Sequence, residues 1–385
     1  MKKAIINGKL VYPEGITEGV LLMENGRIVS GPLSEVPADA EVIDAAGLYV
    51  GPGLIDEHVH GFHKGDKAYD IIDDARAVAR EHLKCGTTAI LPSPSYSLKL
   101  SQYLSVIEQC LCGIEAGESI VGIHLEGPYI NHTMGAGRKF AWKFDAKIFE
   151  SLFTAGRGHV RMCTYAPEMR WGEEVEEIIS RQNARLAIGH TSADPASLER
   201  ARRKGARIAT HLFDGTGHYL GVHAFDKTGD PQDSVSDVLL GFPDMYYELI
   251  CDSVGAHTSP YSQRLALKCA GEDHIILISD CTLHKRALLE PENYDLSVPD
   301  VNFGKDGRIF GSRLTVADSA ANFRKSTDIG MQGLFKCAST NAAAALGLRE
   351  DHGSIETGRY ANIVFADEEF RILTTIYKGE TVRTS

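Results

Sequence analysis

Short apolar runs and turn residues alternate along the first fifty residues and again along the last thirty. In the first segment the apolar runs are separated by Asn7-Gly8 and Asn25-Gly26. Asn-Gly between apolar runs is a strong hairpin signal, so both ends are predicted to form strands. We predict that residues 1–51 and 352–385 together build one small β-sandwich domain.

The middle of the chain, residues 52–351, alternates apolar strand-like runs with longer helical segments. The predicted strands are 53–60, 87–93, 120–127, 160–167, 185–191, 207–213, 246–253 and 275–280. One intervening helix is predicted to begin at Asp194, a good N-cap, and to end at Gly205. Strand and helix repeated eight times, with apolar strands, predicts an α/β protein built on a parallel (β/α)8 barrel of the TIM type.

Two loops of the predicted barrel are unusually long. Residues 214–237 follow the sixth strand, and residues 281–312 follow the eighth. Loops of this length inside a compact domain are usually functional, so we expect both to border the active site.

Composition and charge narrow the class of protein. The 385 residues are 43% apolar and 24% charged, with a formal net charge of −12. This acidic balance argues against nucleic acid and anionic membranes as partners, and no apolar run approaches the roughly 18 residues of a spanning helix. Eight cysteines without a CxxC pair are interpreted as reduced thiols, which favours a cytoplasmic location.

Polar residues stand at the ends of five predicted strands. They are His58, His60, Glu126, His190, His211 and Asp280. The carboxyl ends of barrel strands converge on one face, and residues two apart on a strand share a side. Imidazoles and carboxylates converging on a pocket suit a divalent metal such as Zn²⁺. Asp280 is then predicted to act as a general base toward a metal-bound water.

Each of these residues also has a structural interpretation. A single strand-end histidine is often a hydrogen-bonded packing residue, and Glu126 alone could cap a helix. Their joint position at strand ends favours a metal-centred hydrolytic site. Cys281, beside Asp280, lacks a His/Asn arrangement of its own, so a packing role is predicted for it.

Several motifs carry a resemblance to a known family. They are "GLIDEHVHG" at 53–61, "HLEGP" at 124–128, "GHTSA" at 189–193, "THLFDG" at 210–215 and "ISD" at 278–280. With these motifs the chain resembles the amidohydrolase superfamily, and within it the N-acetylglucosamine-6-phosphate deacetylases. "HLEGP" is the most specific motif, because most superfamily members have a carboxylated lysine where this subgroup has glutamate.

The resemblance implies roles for the strand-end residues. Glu126, His190 and His211 match the principal metal ligands, and His58 and His60 match the pair that supports a second metal. The implied reaction is attack of a metal-bound hydroxide on an acetamide carbonyl. Asp280 would accept the water's proton and deliver it to the leaving amine.

The resemblance also implies a set of substrate-binding residues. They are Ala136, Asp214, Gly215, His223, His257, Ile309, Phe310 and Gly311. The loop after the sixth strand has Asp214 where the family usually has asparagine, and it lacks the family's arginine. Lys227, Arg138 and Lys139 are the cations that could replace that arginine, so whether the substrate carries phosphate stays open.

The sequence therefore predicts a metal-dependent hydrolase that removes an acetyl group from an amino sugar, N-acetylglucosamine-6-phosphate or a related N-acetylated sugar. Zn²⁺ is the expected cofactor, as one ion or two, with Fe²⁺, Mn²⁺ or Co²⁺ as other candidates. The resemblance suggests a homodimer. Cyclic amide hydrolysis, deamination and a non-catalytic oligomerising scaffold are the alternatives.

Overall fold

The computed structural model describes residues 1–135, 142–217, 234–295 and 297–383. In chain order the strands are β1 Lys2–Tyr12, β2 Gly15–Glu24, β3 Arg27–Leu33, β4 Glu41–Asp44, β5 Tyr49–Pro52, β6 Leu54–Val59, β7 Gly61–Lys64, β8 Lys67–Asp70, β9 Thr87–Pro92, β10 Ile123–Glu126, β11 Val160–Tyr165, β12 Arg185–Ile188, β13 Ile208–Ala209, β14 Tyr246–Ile250, β15 Ile275–Ile278, β16 Tyr294–Asp295, β17 Val301–Gly304, β18 Ile309–Ser312, β19 Ile363–Ala366, β20 Ile372–Tyr377 and β21 Glu380–Thr381. The helices are α1 Ile71–Lys84, α2 Leu100–Glu115, α3 Ala146–Ala155, α4 Gly172–Arg181, α5 Pro195–Arg203, α6 Val235–Leu240, α7 Pro260–Ala270, α8 Lys285–Leu289, α9 Val316–Ser326, α10 Met331–Phe335 and α11 Asn341–Ala345. A 3₁₀ turn occupies Pro291–Asn293, and a π-helical turn occupies Lys336–Thr340.

Strands from both ends of the chain form one mixed sheet. Its order is β21-β20-β19-β5-β1-β2-β3, and β4 pairs with β1 in parallel. The two ends join where β5 pairs antiparallel with β19, with Gly51 opposite Val364. Leu21, Val50 and Ile363 belong to one buried apolar cluster that draws on both ends. Strands from the two ends of the chain therefore lie in the same sheet.

Only one of the two Asn-Gly pairs near the N-terminus makes a hairpin turn. Asn25 (φ 51°) and Gly26 (φ 78°) connect β2 to β3. The turn predicted at Asn7-Gly8 is wrong, because β1 continues through it and pairs with β2 on both sides. The register shifts between Ile5 and Gly8, so the pair forms a β-bulge instead.

The eight strands predicted in the middle of the chain are all present as β6 and β9–β15. Strands β10–β15 form a parallel six-stranded sheet in chain order, and β6 pairs in parallel with β9. A parallel bridge between Ile90 and Ile120 connects β9 toward β10. Beyond β15, Asp280 N donates to His58 O at 3.0 Å. The carboxyl ends of these strands therefore share one edge.

Helices cover the parallel strands, and apolar side chains fill the space between strands. Ile55, Leu91, Met162, Ile250 and Ile278 belong to one fully buried cluster contributed by several strands. Helix α5 begins as predicted, because Asp194 accepts a hydrogen bond from Ser197 N at 3.0 Å. Among the described residues, no helix has the length and apolar character needed to cross a membrane.

The long segment after β15 contains structure of its own. Strands β16, β17 and β18 form a small antiparallel sheet, which we call the flap sheet. A bridge between Cys281 and Ser312 holds its last strand beside the end of β15. The flap sheet therefore stands at the edge where the parallel strands end.

Candidate active site

Polar residues face one another where five parallel strands end. They are the six residues His58, His60, Glu126, His190, His211 and Asp280. His190, His211 and Asp280 each lie two residues after the end of their strands, which are β12, β13 and β15. The side chains of all six lie close together at one strand edge.

Glu126 is the centre of the cluster. Its Oε1 lies 2.7 Å from His190 Nε2 and 3.4 Å from His211 Nε2. The same oxygen is 3.6 Å from His58 Nε2, and Oε2 is 3.4 Å from His60 Nε2. One buried carboxylate is therefore shared by four imidazoles that arrive from three other strands.

Asp280 lies near two of these four imidazoles. Its Oδ1 lies 3.1 Å from His60 Nε2 and 3.8 Å from His58 Nε2. Burial opposes ionisation of this carboxyl, but the charges of His58 and His60 outweigh it and lower the pKa of Asp280 to about 2. Asp280 is therefore an ionised carboxylate at neutral pH, as a general base must be.

The donor set fits a divalent metal ion. The ligand atoms of His58, His60 and Asp280 lie within 4.8 Å of one another, and so do those of His58, Glu126 and His211. His58 Nε2 is buried and has no hydrogen-bond partner, although it points between the two carboxylates. Imidazole and carboxylate donors together suit Zn²⁺ and other divalent transition metals.

The imidazoles and carboxylates of the cluster stabilise one another's charged forms. Burial disfavours the imidazolium form of His211, but its hydrogen bond to Glu126 prevails and raises the pKa of His211 to about 9. Burial likewise opposes ionisation of Glu126, yet His190 and His211 hold the pKa of that carboxyl well below its usual value. A metal that binds here must displace imidazole protons, so metal affinity should rise with pH.

Three of the six residues have a left-handed backbone. The φ angles are 47° at His190, 31° at His211 and 45° at Asp280. Residues other than glycine rarely adopt this conformation, which costs about 1–3 kcal/mol at each position. The turn that follows each strand therefore aims the side chain into the pocket at a cost in backbone strain.

Two buried glutamates beneath the pocket escape a search of strand ends. Glu248, within β14, accepts hydrogen bonds from His58 Nδ1 at 3.2 Å and His211 N at 3.1 Å. Glu57 lies beside it, and burial followed by repulsion from Glu248 raises the pKa of Glu57 well above its usual value. An acidic residue inside an apolar run is the sequence signal that could have identified them. Glutamate is almost never fully buried without a partner, so such a residue indicates a buried polar contact.

His124 is also in the pocket floor but is no ligand candidate. Its Nδ1 is 3.0 Å from Ser93 Oγ, and its Nε2 is 2.8 Å from Thr164 Oγ1, so both nitrogens are occupied. Burial, with repulsion from His58, lowers the pKa of His124 well below its usual value. A neutral His124 therefore supports the ring of His58, whose centroid is 4.6 Å away.

His257, which the family resemblance predicts as a substrate-binding residue, is buried. The loop after β14 folds around Asp252, which accepts hydrogen bonds from His257 N at 2.8 Å and Nδ1 at 3.0 Å. His257 Nε2 is buried without a hydrogen-bond partner. Burial disfavours its charged form, but Asp252 and, more weakly, Asp214 and Asp280 raise the pKa of His257. His257 is therefore close enough to Asp214 and Asp280 for their charges to affect its pKa.

Asp214 and Gly215 pack against the metal-ligand candidates. Asp214 O accepts from His211 Nδ1 at 3.1 Å, which orients that ring. A Cβ on Gly215 would lie 3.0 Å from His190 Nδ1 and 3.2 Å from His211 Cε1. Gly135 comes closer still, because its Cβ would lie 2.5 Å from His190 Nδ1. The absence of side chains at both glycines leaves room for the imidazoles.

Ile309, Phe310 and Gly311 form most of β18, at the inner edge of the flap sheet. The Phe310 ring stacks on His284, with centroids 4.7 Å apart. Gly311 has a φ of 82°, and a Cβ there would lie 2.8 Å from Thr282 Oγ1. Because Ser312 is tied to Asp280 O by its N–H at 3.4 Å, these residues border the end of β15.

Some predicted residues lie outside the described part of the chain. They are Ala136, His223, Lys227, Arg138 and Lys139. Most of the long loop after the sixth strand, residues 218–233, lies outside it as well.

Comparison with known proteins gives consistent results. At the sequence level, an N-acetylglucosamine-6-phosphate deacetylase of Bacillus subtilis (strain 168) is 26% identical over 381 residues, covering 95% of this chain and 93% of the relative. The enzyme of the same name from Homo sapiens is 28% identical over 353 residues, covering 88% and 84%.

Solved structures share the fold. The N-acetylglucosamine-6-phosphate deacetylase of Pasteurella multocida matches with a TM-score of 0.85 at 20% identity, over 100% of both chains. A mutant of the Mycobacterium smegmatis deacetylase, in complex with N-acetyl-D-glucosamine-6-phosphate, also gives 0.85 at 22% identity, again over 100% of both chains. The model of the amidohydrolase family matches residues 49–382, nearly the whole sequence. The chain therefore belongs to the amidohydrolase family, whose members depend on metal ions.

Proposed function

We propose that this protein is a metal-dependent deacetylase of an N-acetylated amino sugar, with N-acetylglucosamine-6-phosphate as the first substrate to test. The observation that carries the proposal is the position of Asp280, whose Oδ1 lies 3.1 Å from His60 Nε2 at the strand edge that also holds Glu126. The names of the relatives support the choice of substrate, since they are deacetylases of this sugar phosphate.

In this proposal the strand-end residues divide into two kinds. Glu126, His190 and His211 hold the principal metal, and His58 with His60 serves a second ion or completes the first. A divalent ion bound there, for which Zn²⁺ is our choice, would polarise the amide carbonyl and lower the pKa of a water to about 7.

Asp280 carries the proton in both halves of the reaction. It accepts a proton from water as the water oxygen bonds to the acetyl carbon. It then donates that proton to the amide nitrogen as the C–N bond breaks, because an amine leaves poorly as an anion. The products are acetate and the free amino sugar. Asp280 Oδ1 lies 3.1 Å from His60 Nε2, so its carboxylate is close to the residues that would hold the ion.

The substrate is proposed to lie between the flap sheet and the loop around His257. His257 Nε2, buried and without a partner, is suited to hydrogen-bond a substrate oxygen. Asp214, Gly215 and β18 would line the remaining sides.

We also propose how the strands are arranged into two domains. Strands β6 and β9–β15 would close into a (β/α)8 barrel of residues 52–351, with residues 1–51 and 352–385 as a small sandwich domain. The hydrogen bond from Asp280 N to His58 O, which connects the last strand to the first, supports closure. A homodimer is the proposed assembly.

The decisive experiment measures acetate released from N-acetylglucosamine-6-phosphate and from unphosphorylated N-acetylglucosamine by the zinc-loaded protein. Asp280→Asn should lower kcat by about 10²–10⁴ while zinc still binds. Acetate release by Asp280→Asn at the wild-type rate would show that the base is elsewhere. Absence of acetate from either sugar, with zinc bound, would favour a cyclic amide hydrolase or a deaminase. Absence of metal would favour a scaffold.

If phosphate is recognised, the unphosphorylated sugar should have a kcat/KM lower by orders of magnitude, because remote binding energy is used at the reacting centre. Equal values for the two sugars would exclude a phosphate requirement.

A further inference from the structure

We infer that Glu248 is a positioning residue that holds two metal-ligand candidates, His58 and His211, in their working orientations. The inference rests on the metal site proposed above. Glu248 is fully buried in β14 and lies one layer below the pocket. A single oxygen, Oε2, accepts from both residues, at 3.2 and 3.1 Å. One carboxylate thus connects the strand that carries His58 with the turn that carries His211.

The bond to His58 selects its tautomer. A histidine can offer a lone pair to a metal only from the nitrogen that carries no proton. Because the Glu248 carboxylate accepts at Nδ1, the proton stays there, and Nε2 is left free between Glu126 and Asp280. Carboxylates that orient metal-bound imidazoles in this way typically change metal affinity or activity 10- to 100-fold when removed.

The bond to His211 acts on the backbone. His211 has a φ of 31°, and the turn leaves its N–H pointing into the buried interior. An unpaired N–H there would be costly, so acceptance by Glu248 stabilises the turn that aims the imidazole at Glu126. The other oxygen, Oε1, is buried and has no hydrogen-bond partner.

Two substitutions separate positioning from filling space. Glu248→Gln retains an oxygen that can accept both hydrogen bonds, and its amide can face Glu57. Glu248→Met keeps the length but removes the acceptor. We expect Zn²⁺ affinity, measured by competition with a chelating dye, to fall 10- to 100-fold in Glu248→Met and to remain close to wild type in Glu248→Gln.

Glu176→Met is the matched control. Glu176 is equally buried, but it accepts from Tyr165 OH at 3.0 Å and lies against Arg200, away from the candidate metal ligands. It should lose thermal stability and keep Zn²⁺ affinity. If Glu248→Met binds Zn²⁺ as tightly as this control, Glu248 is only structural and the inference is wrong, although the proposed metal site stands. A wild-type protein that binds no Zn²⁺ would overturn both.

A measurement on wild-type protein avoids any folding defect of the variants. In zinc-loaded, ¹⁵N-histidine-labelled protein, long-range ¹H–¹⁵N spectra report which nitrogen of His58 carries the proton, with His58→Gln to assign the signal. A proton on Nδ1 supports the role of Glu248. A proton on Nε2 would overturn it.

Discussion

The substitution Gly135→Ala tests whether the packing around His190 controls the site. Gly135 has a φ of 75°, and an added Cβ would lie 2.5 Å from His190 Nδ1 and 2.6 Å from Cε1. Ordinary van der Waals contact begins near 3.4 Å, so the imidazole would have to retreat by about 1 Å. The neighbouring contact that would lengthen is the one between His190 Nε2 and Glu126, now 2.7 Å.

A displacement of about 1 Å at a reacting centre costs about 10²-fold in rate. The left-handed backbone adds a separate cost of about 1–2 kcal/mol to folding stability when glycine becomes alanine. We therefore expect Gly135→Ala to lower kcat/KM for acetate release by about 10²-fold and to weaken Zn²⁺ binding, in addition to a modest loss of thermal stability.

Gly47→Ala is a control that separates the loss of folding stability from the loss of activity and zinc binding. Gly47 has a similar φ of 82°, but a Cβ there has nothing within 4 Å. This control should lose stability without losing activity or zinc affinity. Gly215→Ala should fall between them, since its Cβ would lie 3.0 Å from His190 Nδ1. If Gly135→Ala and Gly47→Ala show equal kcat/KM and equal Zn²⁺ affinity, close packing on His190 does not control the site.

Three further predictions concern other residues. Glu126→Gln should lower the zinc content of purified protein, measured by mass spectrometry, because the carboxylate shared by the imidazoles is lost. Asp252→Asn should lower kcat/KM about 10-fold with zinc affinity unchanged, since His257 loses a charged acceptor. His352→Gln should reduce the pH dependence of unfolding free energy. Burial, assisted by nearby cations, lowers the pKa of His352 to about 4, so protonation favours the unfolded chain as pH falls from about 6.5 toward 4. Wild type should lose up to about 2 kcal/mol more than the variant between pH 7 and pH 5.

Each of these predictions has an outcome that would contradict it. An unchanged zinc-to-protein ratio in Glu126→Gln would remove that carboxylate from the ligand set. A loss of zinc in Asp252→Asn would mean that the loop around His257 supports the metal rather than the substrate. Parallel stability curves for wild type and His352→Gln, from urea denaturation at each pH, would show that His352 titrates normally in the folded protein.

The eight parallel strands are predictable because each is an apolar run of strand length between helical segments. Buried parallel strands cannot be amphipathic, so their sequences are distinctive. Asn7-Gly8 shows the limit of local signals. The pair has the composition of a turn, but pairing on both sides with β2 converts it into a bulge. Long-range pairing, which a local motif does not encode, determines which outcome occurs.

Some residues of the candidate site can likewise be predicted from the sequence, and others cannot. His58, Glu126 and Asp280 can be found from sequence because polar residues end apolar runs, and the topology brings those ends together. Glu248 is not predicted as a site residue, because it lies inside an apolar run and the sequence does not indicate which way its side chain points. His257 is predicted as a substrate-binding residue only through the family resemblance, and its burial depends on the fold of its loop around Asp252.

The left-handed backbone at His190, His211 and Asp280 places these side chains in the cluster although the local conformation is unfavourable. A left-handed residue reverses the chain direction just after the strand, so the side chain leaves the sheet plane and points into the pocket. Such strain persists only where surrounding contacts determine it. At two of these positions the contacts are visible: Glu248 accepts from His211 N, and Asp280 N donates to His58 O. Hydrogen bonds therefore connect His58 in β6, through Glu248 and through its own carbonyl, to the turns after β13 and β15. A change at either of these two turns should therefore also affect His58, so these ligand candidates are not independent of one another.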